Sequence, residues 1–151
     1  MKRSLLSVCL LFVIAFASQA QQPIKLKKGI ILDSLQVRDT IAESFALYIP
    51  SSYNSPEMWP VIFIMDMEGK GKEAISKFRS AGEKHQYLLA ASNNLSDSLS
   101  IADNINTIKR LIKTVSEMFA IPQSRFYTAG FENGGKMAGI TPFYILTGGV
   151  I

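Results

Sequence analysis

Val61-Ile62-Phe63-Ile64-Met65 is an unbroken apolar run set between Pro60 and Asp66. A strand with one wet face alternates apolar and polar side chains, so a run without alternation marks a strand covered on both faces. Such strands lie inside parallel sheets whose two faces are packed with helices. That one segment argues for an α/β domain and against an all-β sandwich or a helical bundle.

The flanking sequence fits this expectation. Ile30 to Val37 and Ile41 to Ile49 are rich in apolar and β-branched residues, with Arg38-Asp39 between them as a turn, which predicts an antiparallel hairpin opening the sheet. Pro50 to Pro60 carries three prolines and closes the second strand. From Lys72 to Lys84, Ile75, Phe78 and Ala81 recur at helical spacing, and Tyr87 to Ala91 is a second short strand. Ser100-Ile101-Ala102-Asp103 has the form of a capping box, and behind it Ile105, Ile108, Leu111, Ile112, Val115, Met118 and Phe119 trace one helix face as far as Pro122. Arg125 to Ala129 predicts a third strand, Gly130 to Gly135 a tight turn, and Lys136 onward another helix. Strands alternating with helices imply right-handed crossovers and a three-layer αβα sandwich. The functional crevice is then expected at the carboxyl ends of the strands, in segments 66–71, 92–97 and 130–135.

The first twenty residues are not expected to enter the fold. Lys2 and Arg3, the apolar run Leu5 to Ala17 and the small residues of Ser18-Gln19-Ala20 have the three parts of a secretory leader. Cleavage after Ala20 is expected, giving a secreted or periplasmic protein with no stable membrane anchor. Cys9, the single cysteine, lies in that leader, so the remainder has no disulfide, thiol nucleophile or cysteine ligand. Lys2 and Arg3 supply two of the four net positive charges, and the near balance that remains gives no reason to expect a nucleic-acid partner.

The segment Arg125-Phe126-Tyr127-Thr128-Ala129-Gly130-Phe131-Glu132-Asn133-Gly134-Gly135-Lys136-Met137-Ala138 resembles the strand, nucleophile elbow and helix of secreted α/β-hydrolases related to polyhydroxybutyrate depolymerases and feruloyl esterases. In that family the turn reads Gly-Phe-Ser-x-Gly-Gly. The turn must lift one side chain above the sheet from a strained backbone, with small residues around it, and Gly130, Gly134 and Gly135 are the candidates for that role. A Tyr-Ile-Pro segment, the strand ending in a Gly-containing loop and the capped helix leading to Arg-Phe-Tyr extend the resemblance from about Phe45 to Met137. It implies a partial α/β-hydrolase fold, no cofactor, and an oxyanion hole formed by the Met67 and Asn133 amides.

Three departures bear on activity. Glu132 stands at the nucleophile position, where a carboxylate has no proton to surrender and is a poor acyl-transfer nucleophile. The only histidine, His85, precedes the elbow, at the expected end of a helix. Ile151 falls where the strand after the elbow helix is expected, so residues 21–151 read as a truncated hydrolase-like domain. The expectation is a catalytically inactive esterase-like protein. Two alternatives are a binding module for a small ester or carbohydrate-linked ligand, with Tyr53, Trp59 and Tyr87 stacking in the crevice, and a hydrolase using Glu132 itself as nucleophile. Asp66, Glu68 and Glu132 are expected to gather near the crevice as solvated carboxylates, opposing an oxyanion and holding no metal. The last strand, Gly148 to Ile151, is expected to leave an uncovered edge through which copies could self-associate.

Overall fold

The computed structural model describes residues 26–151 except Pro56 and Ala120. The segment expected to be a secretory leader, with Cys9, lies outside the described residues. Six strands form one mixed sheet: β1 (Ile31–Gln36), β2 (Ser44–Tyr48), β3 (Val61–Met65), β4 (Leu88–Ser92), β5 (Phe126–Gly130) and β6 (Gly149–Val150), in the spatial order β1-β2-β4-β3-β5-β6. β1 pairs antiparallel with β2 and β2 antiparallel with β4, whereas β4, β3, β5 and β6 run parallel. Three helices connect the parallel strands: α1 (Gly71–His85), α2 (Ile101–Phe119) and α3 (Asn133–Ile140).

The strand order decides which face each helix covers. From β3 to β4 the chain steps one way across the sheet, and from β4 to β5 and then β6 it steps back. Right-handed crossovers therefore put α1 on one face and α2 and α3 on the other. The core divides accordingly. Phe45, Leu47, Val61, Phe63, Met65, Leu88 and Ala90 pack with Ile105, Ile108, Leu111 and Val115 of α2 and Met137 of α3. Their neighbours Ala46, Tyr48, Ile62, Ile64, Leu89 and Ala91 pack with Ala74 and Ile75 of α1. Every residue of β3 is buried, as the unbroken apolar run requires.

Two boundaries differ from the sequence expectation. The β1–β2 connection spans residues 37–43 instead of a two-residue turn, and Ile41 is exposed. The reason is Glu43, which is buried at the start of β2. Its carboxylate accepts from Arg110 Nε at 2.8 Å, from the same guanidinium at 2.5 Å and from Thr107 Oγ1 at 2.9 Å. That pairing ties the connection to α2 and outweighs the β propensity of Ile41. The second difference is α3, which starts at Asn133 rather than Lys136, so Gly134 and Gly135 lie in its first turn. The Ser100 hydroxyl caps α2 by accepting from Asp103 N–H, but the Asp103 carboxylate turns to the Ser100 hydroxyl instead of a backbone amide.

The Arg110 guanidinium holds the Glu43 carboxyl below its ordinary range, against the opposing effect of burial. A depressed carboxylate pKa contributes stability that is present above the unfolded-state pKa and is lost as pH falls. Glu43→Ala is expected to lose about 3 kcal/mol of unfolding free energy, because it leaves a largely buried guanidinium unpaired. Urea denaturation should also show the advantage of wild type over Glu43→Gln shrinking as the pH falls below the carboxylate range. An advantage that grows on acidification would contradict the pairing.

Candidate active-site elbow

The turn from β5 into α3 is set by close approaches that only glycine permits. A Cβ on Gly134 would lie 2.1 Å from the Met65 carbonyl oxygen, and a Cβ on Gly130 would lie 2.4 Å from the Gly134 carbonyl group. Helix α3 therefore starts in contact with the end of β3, and the chain must reverse between residues 130 and 133. It does so at Glu132, with φ 51° and ψ −119°. A non-glycine residue there stores on the order of 1–3 kcal/mol of strain. The Phe131 and Glu132 carbonyls then accept from Gly135 and Lys136 N–H, opening the helix.

Glu132 projects from this turn as an exposed side chain, and its carboxylate has no hydrogen-bond partner among the described residues. Phe131 packs its ring against Phe78 of α1 at a centroid distance of 5.3 Å, with Lys77 Nζ 5.1 Å from its centre. Neither Met67 N–H nor Asn133 N–H donates to a protein acceptor among the described residues. Since Gly134 abuts Met65, Met67 and Asn133 lie at the same strand end, Asn133 at the positive end of α3.

The neighbouring carboxylates of the loop after β3 have partners within that loop. Asp66 accepts from Lys70 N–H at 2.7 Å, folding back into its own loop. Glu68 pairs with Lys70 Nζ at 2.7 Å, and the lysine holds its carboxyl below the ordinary range. Both are short local interactions that sequence position could not reveal. Among the described residues no three His, Cys, Asp or Glu side chains are grouped to hold a metal ion.

Two residues of the site had escaped notice. Asn133 Nδ2 donates to Asp97 at 2.9 Å, and Lys136 Nζ donates to Asn133 Oδ1 at 3.1 Å, so Asp97 in the loop after β4 anchors the elbow. Asn93 accepts from Gly71 N–H and donates to Asp33 and Ser44, holding the start of α1 against the same loop. Their only sequence signal was their place at a strand end.

The remaining candidates lie at the other end of the sheet. His85 closes α1 and lines a small cleft of about 340 Å³ with Glu57, Trp59, Pro60 and Arg125, which precede β3 and β5. Trp59 is buried edge-on against Tyr53, which packs on Phe119, and Tyr87 packs on Tyr127. These aromatics fill the amino ends of the strands, so none of them can stack a ligand at the elbow.

The geometry predicts opposite effects of two small substitutions. Glu132→Gly should raise the unfolding free energy by about 1 kcal/mol by relieving the positive φ. Gly134→Ala should lower it by about 2 kcal/mol or more, because the Met65 carbonyl has no room to give. Urea unfolding measures both, and a destabilised Glu132→Gly would show that residue 132 is not strained.

No family model and no curated protein matches the sequence. Solved structures do match the fold. An acetyl xylan esterase from Aspergillus awamori superposes with a TM-score of 0.60 at 16% identity, over 81% of this chain and 50% of that one. A thermostable esterase gives 0.58 at 12% identity, over 80% and 39%. A thermophilic esterase from Thermogutta terrifontis gives 0.51 at 15% identity, over 74% and 42%. The chain thus spans half or less of the length of each of these esterases, and within that span it has the α/β-hydrolase fold in part.

Proposed function

We propose that this protein is an esterase-like α/β-hydrolase relative that does not cleave esters at its elbow. One observation carries the reading: Glu132 occupies the strained strand-to-helix turn at which this fold displays its nucleophile. Acyl transfer by the serine route needs a hydroxyl whose proton passes to an adjacent imidazole as it attacks. Glu132 has no such proton, and His85, the one imidazole in this chain, lies across the sheet. The Met67 and Asn133 amides could hold an oxyanion, but Glu132 places a negative charge beside them and weakens that stabilisation. The leader-like first twenty residues support a secreted or periplasmic setting.

The esterase 2 of Thermogutta terrifontis is phosphorylated by paraoxon; this chain is expected to resist such reagents. Purified protein should hydrolyse short-chain nitrophenyl esters no faster than a blank. Turnover that follows the protein through two separations and disappears in Glu132→Gln would overturn the proposal. Restoring the family turn by Glu132→Ser should still give no fluorophosphonate labelling at residue 132, because no imidazole adjoins it among the described residues. Stoichiometric labelling there would show that a base is present after all.

A further inference from the structure

Asn133 and Gly134, the two residues that open α3, form the one Asn-Gly pair in the sequence. An asparagine followed by glycine is the pair most open to attack by its own backbone, because no side chain screens the nitrogen of the second residue. Three features of the elbow favour that attack. The Asn133 side chain is exposed, so water reaches it. The Gly134 N–H has no protein acceptor among the described residues, so the attacking nitrogen is not held in the helical ladder. Lys136 Nζ donates to Asn133 Oδ1 at 3.1 Å, and its charge draws electrons from the carbonyl carbon under attack. Two features oppose it. Asn133 Nδ2 is tied to Asp97 at 2.9 Å, and the helical backbone at residue 133 turns the Gly134 nitrogen away from the side-chain carbonyl. The first turn of α3 must open before a ring can close, and helix ends are where local opening is least costly.

We propose that Asn133 is a self-modification site, converted to aspartate or isoaspartate by the elbow's own backbone at a rate set by the tie to Asp97. The Gly134 nitrogen gives up its proton and bonds to Asn133 Cγ. The Cγ–Nδ2 bond breaks, ammonia leaves carrying that proton, and water opens the resulting succinimide at either carbonyl. Asp97 slows the first step twice over: its hydrogen bond holds the side chain in the closed arrangement, and its carboxylate opposes the negative charge that develops on the attacking nitrogen. The product sets a carboxylate beside Asp97 in place of an amide donor, so the tie is lost. Isoaspartate also adds a methylene to the main chain next to Gly134, where a Cβ would already lie 2.1 Å from the Met65 carbonyl oxygen. The turn that presents Glu132 cannot keep its shape after that change, which therefore releases the elbow independently of any activity there.

Peptide mapping by mass spectrometry, on purified protein incubated in mildly alkaline buffer, tests the proposal. The peptide holding Asn133 is expected to show the mass of an amide-to-acid exchange ahead of those holding the exposed Asn54 and Asn106. Asp97→Ala should speed the exchange at Asn133 about ten-fold relative to those two sites, the factor that a hydrogen bond to a charged group is worth in an opening equilibrium. Asp97→Asn, which keeps a neutral acceptor, should fall between. Asn133→Gln should remove the exchange, because its longer side chain has to close a six-membered ring. Misfolding of a variant would quicken Asn54 and Asn106 together with Asn133, so the ratio among sites reads the tie alone. Exchange at Asn54 or Asn106 ahead of Asn133 in the wild type, or a ratio unchanged in both Asp97 variants, would overturn the proposal.

Discussion

The contact between Gly134 and the carbonyl end of β3 governs the geometry of this protein more than any other. With a Cβ-free residue there, α3 begins directly on the central strand, and residues 130–133 must reverse direction in the space left. The positive φ of Glu132, the free Met67 and Asn133 amides and the exposed position of the Glu132 side chain all follow from that approach. The contact depends in turn on β3 lying between β4 and β5, which puts both crossover loops and the elbow at one end of the sheet. Glu43 and Arg110 serve the opposite flank by fixing the β1–β2 connection against α2.

This division separates two environments. At the carboxyl ends, short polar loops are tied together by Asn93, Asp97 and Asn133, with the Glu132 side chain exposed beside them. At the amino ends, Trp59, Tyr53, Phe119 and the Tyr87–Tyr127 pair close the core, with His85 beside them. Acyl transfer by the serine–histidine route requires nucleophile and imidazole within hydrogen-bond reach. Here the two sites where such groups stand are separated by the height of the sheet.

The fold was legible where burial and periodicity agree. Val61 to Met65 announces a strand covered on both faces, and the stripe from Ile105 to Phe119 announces a long amphipathic helix. It was misread where a distant partner overrides local preference. Ile41 has strand propensity but lies exposed, because Glu43 reaches Arg110 sixty-seven positions away. Gly134 and Gly135 read as turn residues, yet tertiary contact with Met65 places them inside a helix. Single aromatics carry no sign of which end of the sheet they occupy; Trp59, Tyr53 and Tyr87 serve as core and loop anchors at the amino ends, and not in the stacking role that the binding-module alternative would give them. The pairing of Asp66 and Glu68 with Lys70 of their own loop becomes evident only in three dimensions.

The central claim is that a carboxylate occupies the place where this fold carries its acyl group. Intact-mass spectrometry of the protein after exposure to an activated short-chain acyl ester tests it most directly. An unchanged mass is the expected result, since a carboxylate is a poor acyl-transfer nucleophile and a mixed anhydride formed at Glu132 would not accumulate. A stable acyl adduct mapped to the segment from Phe131 to Lys136 would contradict the account.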